Sequence, residues 1–165
     1  MGEVRLMRRG ALRSGFFLLA ALLAAVAARG DELLPLPRWA SLANGKVYLR
    51  QGPTYQNRVL WVYHRKGLPV EITGQYDVWR KVLMPDGERG WMHVAMLSSD
   101  RTVVVTGKAN APIREEVAAT SPVIALAEPG VVAKLGRCEA QACEIRVAGT
   151  EGWIDRTRIW GEAAP

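Results

Sequence analysis

The sequence predicts an all-β protein, two small β-barrels in tandem behind an N-terminal export signal. Three observations carry this reading. Residues 46–97 are repeated by residues 110–160 at a period near 63, the length of a duplicated domain and too long for a solenoid unit. The apolar residues fall in short β-branched runs, "VEITG", "VWRKVLM", "VVAKLGRC" and "EIRVAG", separated by Gly-bearing turns such as "PDGERG" and "AGTEG". No window carries an apolar stripe at i, i+3, i+4, i+7 over three helical turns.

Residues 1–27 read as a signal peptide. Arg5, Arg8, Arg9 and Arg13 make a basic head, and Phe16 to Val26 an apolar run of 11 residues. A membrane span takes about 20. Ala25-Val26-Ala27 offers the small side chains that signal peptidase needs, for a cut after Ala27, with Ala28 the neighbouring choice and an uncleaved anchor the alternative. Arg8-Arg9 is a weak twin-arginine pattern, because Ala11 stands where that motif wants a large apolar residue, so general secretion is expected. The expected location is periplasmic or secreted, with no stable membrane span after cleavage.

Charge follows from this division. The whole chain is +6, but four Arg and only one acid lie in residues 1–27, which leaves 18 basic and 15 acidic side chains beyond them, or +3. The basic pI is largely that of the leader, and a nucleic-acid partner is not expected.

The first barrel is expected over 40–98. "VYLR" opens it, "KGLPVEI" follows a wandering loop, and "WRKVLMPDGERGWM" is a hairpin. Residues 99–110 are assigned to a linker strand, in which "TVVV" packs between or across the barrels. A domain of about 55 residues is only marginally stable alone, so a shared face is expected. The second barrel, 111–161, repeats the order with "APIR", "PGVVAKL" and "ACEIRVAGTEGWI". Full closure of each barrel would remove exposed edges. Cys138 and Cys143 are the only cysteines; in an oxidising compartment they pair and pin a hairpin, a ring of this size contributing on the order of 2 kcal/mol. A metal site on them would lack further ligands, since His64 and His93 are the only histidines.

"VYLRQGPTYQNRVLWVYHRKGLPVEI" resembles the bacterial SH3-like (SH3b) domains, which open on a strand ending in Leu/Val-Arg, turn at Gly-Pro-Ser/Thr, and close on W-x-K-V and Gly-Trp-Val. "LWVYHRKGLPVEI" and the "GW…LS…RT" ending are similar to an exported, tandem SH3-like subgroup of alphaproteobacteria. The resemblance covers residues 40–161. It implies SH3-like barrels and a targeting or binding role in the cell envelope; several SH3b domains attached to wall hydrolases bind peptidoglycan peptides. The second copy departs from the pattern, with Ala142 where the family tends to carry Trp and "REEVAATSP" in place of "RQGPTYQN". If binding resides in that turn and that Trp, the second copy is structural only.

Catalysis needs a nucleophile with a base, paired acids or a metal. The cysteines are expected to pair, no Ser sits in a nucleophile elbow, and Asp86 and Glu88 belong to a turn. A non-enzyme without cofactors is expected. His64 and His93 are expected at the surface. SH3-like barrels recognise extended ligands on aromatic faces beside a long loop. The candidate ligand-binding residues are Tyr48, Tyr55, Arg58, Trp61, Tyr63, Arg65 and Trp79. Trp61 and Trp79 have a second reading as inter-barrel packing, since the second copy lacks both. Trp91 and Trp153, the repeated Gly-Trp, are expected in or near the cores, and Trp160 is expected to cap the second barrel. Residues 39–97 hold eight basic and four acidic side chains against seven and seven over 102–161, which suits the first barrel to an anionic partner. The expected function is recognition of peptidoglycan peptide or another extended anionic ligand. The alternative is a periplasmic adaptor that binds an extended segment of an envelope protein or regulates a wall hydrolase.

Overall fold

The duplicated sequence folds as two copies of one plan. The computed structural model describes residues 34–162, and the assigned signal peptide lies outside them. The described residues from Pro35 onward form one compact unit. Among the described residues the regular structure is β-strand and single 3-10 turns, and no helix is long and apolar enough to cross a membrane.

The first sheet holds β1 (Arg38–Leu42), β2 (Val47–Arg50), β3 (Val59–Tyr63), β4 (Pro69–Tyr76), β5 (Trp79–Leu83), β6 (Arg89–His93) and β7 (Leu97–Ser98), in the order β3-β2-β6-β5-β4-β1-β7. The second holds β8 (Thr102–Val105), β9 (Ala111–Arg114), β10 (Val123–Ala127), β11 (Val132–Cys138), β12 (Ala142–Val147), β13 (Thr150–Asp155) and β14 (Ile159–Trp160), in the order β10-β9-β13-β12-β11-β8-β14. The two orders are the same with seven added to each label, so β8 is the counterpart of β1. Residues 99–110, assigned from the sequence to a linker strand, thus supply a strand of the second sheet, where β8 pairs β11 and β14.

Alternation builds each core. Val47 and Leu49 of β2, Val70 and Ile72 of β4, Val82 of β5 and Met92 of β6 point inward in the first barrel, and Val103, Val105, Ile113, Ile145 and Ile154 do so in the second. The repeated Gly-Trp divides between the two faces of its strand. A Cβ on Gly90 would stand 2.6 Å from the carbonyl oxygen of Arg50, and one on Gly152 2.6 Å from that of Arg114, so only glycine lets the strands approach. Trp91 and Trp153 then point the other way. Neither belongs to a core cluster; Trp153 is nevertheless buried, in keeping with its expected place in or near the core, while Trp91 is half-buried on the outer face.

Pairing also departs from full closure. β3 and β7 end the first order and β10 and β14 the second, with no pairing between the ends among the described residues. β7 and β14 are only two residues long, too short to carry the sheet round. Edges therefore remain, on β3 with exposed Trp61 and Val62 and on β10 with exposed Val123, Ile124 and Leu126.

The barrels meet along β8. All four of its residues are buried, Val103 and Val105 in the second core, while the Thr102 hydroxyl donates to the Gly67 carbonyl oxygen of the first barrel at 2.7 Å. Trp39 and Trp160 meet edge-on beside this bond. Trp160 thus spans the junction, and the inter-barrel aromatic contact is made by this pair and not by Trp61 or Trp79. The hairpin β11–β12 is closed by the Cys138–Cys143 disulfide, between residues that are direct cross-strand partners.

Candidate functional site

The outer face of β2, β6 and β5 gathers the side chains that the inward alternation leaves out. Val82 and Met92 face the core, so Trp79 and Lys81 on β5 and Trp91 and His93 on β6 face away from it. Cross-strand register sets Trp79 opposite His93 and Arg50 opposite Trp91. Tyr48 is on the same outer face, two residues before Arg50.

The turn "RQGPTYQN" then folds back over this face. Nη1 of Arg50 donates to the carbonyl oxygens of Tyr55 and Asn57, each at 2.9 Å, and the Asn57 amide donates to the Thr54 hydroxyl at 2.7 Å. A Cβ on Gly52 would meet the Asn57 side chain at 2.7 Å, so a larger residue there would have to displace the amide that bonds Thr54. The result places the Tyr55 ring 5.0 Å from Trp79, edge-on, and 5.7 Å from His93, stacked, with Trp79 and His93 5.4 Å apart. The Arg50 guanidinium lies 5.6 Å from the Tyr55 ring centre and 5.9 Å from that of Tyr48, and the Lys46 ammonium lies 5.4 Å from the Tyr48 ring. Tyr55 is 64% exposed and Trp79 5%: one ring is the surface and the other its support.

Of the residues singled out in the sequence, Tyr48, Tyr55 and Trp79 come together here. Trp61 pairs with Leu49 and is half exposed on the β3 edge, outside the ring cluster. The Tyr63 hydroxyl donates to the Asp86 carboxylate at 2.9 Å and ties β3 to the β5–β6 turn; burial, then the Asp86 hydrogen bond and charge, push its phenol above its ordinary range. Arg58 is exposed at the base of the turn, where its carbonyl oxygen accepts from Gln51 N. Arg65 reaches towards Gly130 of the second barrel, 3.8 Å from a Cβ placed there.

Arg50 and His93 join the site although neither was among the candidate binding residues, and His93, expected at the surface, lies under the Tyr55 ring. His93 is partly buried, and its Nδ1 accepts from Ala95 N at 3.1 Å as the cap of the 3-10 turn Val94–Met96, which leaves the Nε2 hydrogen as its donor. A signal existed in the repeat: His93 and Asp155 follow the repeated Gly-Trp by the same spacing, and both cap a 3-10 turn.

The second barrel keeps the backbone of the turn and loses its rings. Arg114 Nη1 donates to the Ser121 carbonyl oxygen at 2.7 Å, as Arg50 does to Asn57, and Glu115 N bonds Pro122 O as Gln51 N bonds Arg58 O. At the matching positions Ala119 replaces Tyr55, Ala142 replaces Trp79 and Asp155 replaces His93.

No functionally curated protein matches the sequence. Among solved structures, the chain is similar to NlpC2 and NlpC1 from Trichomonas vaginalis, each at 14% identity and a TM-score of 0.35, covering 76% and 79% of this chain and 48% of theirs. A similar match, at 12% identity and a TM-score of 0.33, is an NlpC/P60 family protein from Bacillus cereus, over 74% of this chain and 55% of that one. The chain spans about half the length of these structures. A family model described as bacterial SH3 domain matches residues 43–99 and again 107–161. The chain therefore belongs to the bacterial SH3 domain family, with two copies in tandem.

Proposed function

We propose that this protein is a non-catalytic binding module of the cell envelope, periplasmic or secreted, whose first barrel recognises peptidoglycan peptide or another extended anionic ligand. The observation that carries the reading is the exposed Tyr55 ring propped on Trp79 and His93 beside the Arg50 guanidinium. A flat ring gives an extended chain an apolar surface at little entropic cost, and the neighbouring cations suit its carboxylates. Family membership supports the binding role. A non-catalytic role agrees with the chemistry of the described residues, in which both cysteines are joined and the His93 Nδ1 lone pair is engaged by backbone.

The test is cosedimentation of mature protein with purified peptidoglycan sacculi at low and high salt. Retention that falls with salt, and falls about tenfold in Tyr55→Ala while Trp61→Ala keeps it, supports the reading; truncating an anchoring aromatic side chain at an interface costs upwards of about 1 kcal/mol. No retention of folded wild type, or equal retention in Tyr55→Ala, overturns it.

The exposed edges β3 and β10 favour a second reading, an adaptor that takes an extended segment of an envelope protein by strand addition. Trp61→Ala would then weaken capture of that segment and Tyr55→Ala would not.

A further inference from the structure

The replacement of Tyr55 by Ala119 and of Trp79 by Ala142 leaves space in the second barrel that the first barrel fills. The space is a cavity of about 440 Å³, within the range of small-ligand sites. Its lining is mostly apolar, with Trp153, Pro112 and Ala142 among its residues. The disulfide-closed turn contributes Glu139, Ala140 and Gln141 to it, so the rim is held by a covalent ring of the hairpin.

Its charge is opposite to that of the first site. Glu116, Glu139 and Asp155 line it against the single cation Arg114, whose Nη1 already donates to the Ser121 carbonyl oxygen. Asp155 accepts from Thr157 N and its hydroxyl through Oδ1. Among the described residues Glu116 and Glu139 have no ion-pair partner. The neighbouring base Arg156 is paired with Glu162 at 2.6 Å, and Arg137 lies 5.1 Å from the Trp153 ring centre without lining the cavity.

We propose that this cavity is a second binding site, for an alkylammonium side chain such as that of lysine in an extended peptide. The methylene stem packs on the alanines and Trp153, and the ammonium meets the carboxylates at the rim, a division between apolar stem and charged head that lysine side chains adopt wherever both surfaces are offered. The second barrel is then a binding domain of opposite preference to the first.

The probe is N-acetyl-Ala-Lys-Ala-amide, titrated against the isotope-labelled mature protein and followed by amide and indole resonances, with the norleucine analogue as the neutral control. The lysyl peptide is expected to shift Ala119, Ala142 and the Trp153 indole, and the norleucine peptide to leave them in place. Glu139→Gln and Glu116→Gln, at exposed positions that do not bear on folding, each weaken the shift by about threefold, in line with a partly exposed ion pair. Ala142→Trp, which restores the residue found in the first barrel, abolishes it. Equal shifts with norleucine, shifts confined to the first barrel, no shifts at all, or unchanged binding in the Gln variants would overturn the proposal.

Discussion

Trp39 of β1 and Trp160 of β14 meet with their ring centres 4.7 Å apart and their planes at 87°, one from each barrel. This is the edge-to-face geometry that the ring quadrupole favours, worth about 0.5–1.5 kcal/mol beyond the area it buries. Because each strand belongs to a different core, the contact couples the stabilities of two domains that are individually small.

Trp39→Ala, Trp160→Ala and the double variant are expected to show a coupling energy of about 1 kcal/mol in a denaturant double-mutant cycle. Thr102→Val, which removes the hydroxyl bonded to Gly67 O, is expected to loosen the same junction. Additive effects of the two Trp substitutions would show that the barrels fold without this contact.

Gly90→Ala and Gly152→Ala are expected to destabilise by about 1–3 kcal/mol each, since the new methyl group meets backbone oxygen at 2.6 Å in both barrels. Gly45→Ala, with nothing within 4 Å of the added carbon, serves as the neutral comparison. Urea midpoints read the difference, and equal midpoints for all three would contradict the close approach.

Tyr63 carries a pH signature. Burial and Asp86 raise its phenol above the ordinary value near 10, so the neutral form is favoured in the folded state. The stability this contributes is complete below pH about 10 and is lost as pH rises beyond it towards the folded value. Ultraviolet titration should show a phenol that ionises above the ordinary range. Tyr63→Phe should remove that late titration and flatten the alkaline fall in stability.

Reduction of Cys138–Cys143 is expected to cost about 2 kcal/mol, the loop entropy of a short ring. Its effect should be local to the rim formed by Glu139, Ala140 and Gln141, so lysyl-peptide binding falls while the first-barrel resonances stay in place. Amide spectra with and without reductant check both.

The short strands, the Gly turns and the disulfide hairpin were legible in the sequence because each depends on neighbours a few residues apart, and the duplicated order because the same succession of them recurs. Ala148 and Gly149, at φ of 49° and 83°, make the β12–β13 turn that "AGTEG" advertises, and Cys138 and Cys143 are cross-strand partners because the separate β11–β12 hairpin is tight. The faces of Trp91 and Trp153 followed the same alternation, once Gly90 and Gly152 are seen as the inward members of each pair.

What the tertiary structure alone decided is which rings meet. Trp61 and Trp79 have the same chemistry in the sequence, yet strand order puts Trp79 against His93 and leaves Trp61 on an edge. Tyr55 reaches Trp79 only because Arg50 bonds two carbonyl groups of the intervening turn, and β8 joins the second sheet only because β11 and β14 lie on either side of it. Local propensity fixes where a strand begins and which way its side chains alternate. The neighbours it acquires depend on the packing of the whole barrel, and it is those neighbours that turn a list of aromatic residues into one face on the first barrel and a cavity on the second.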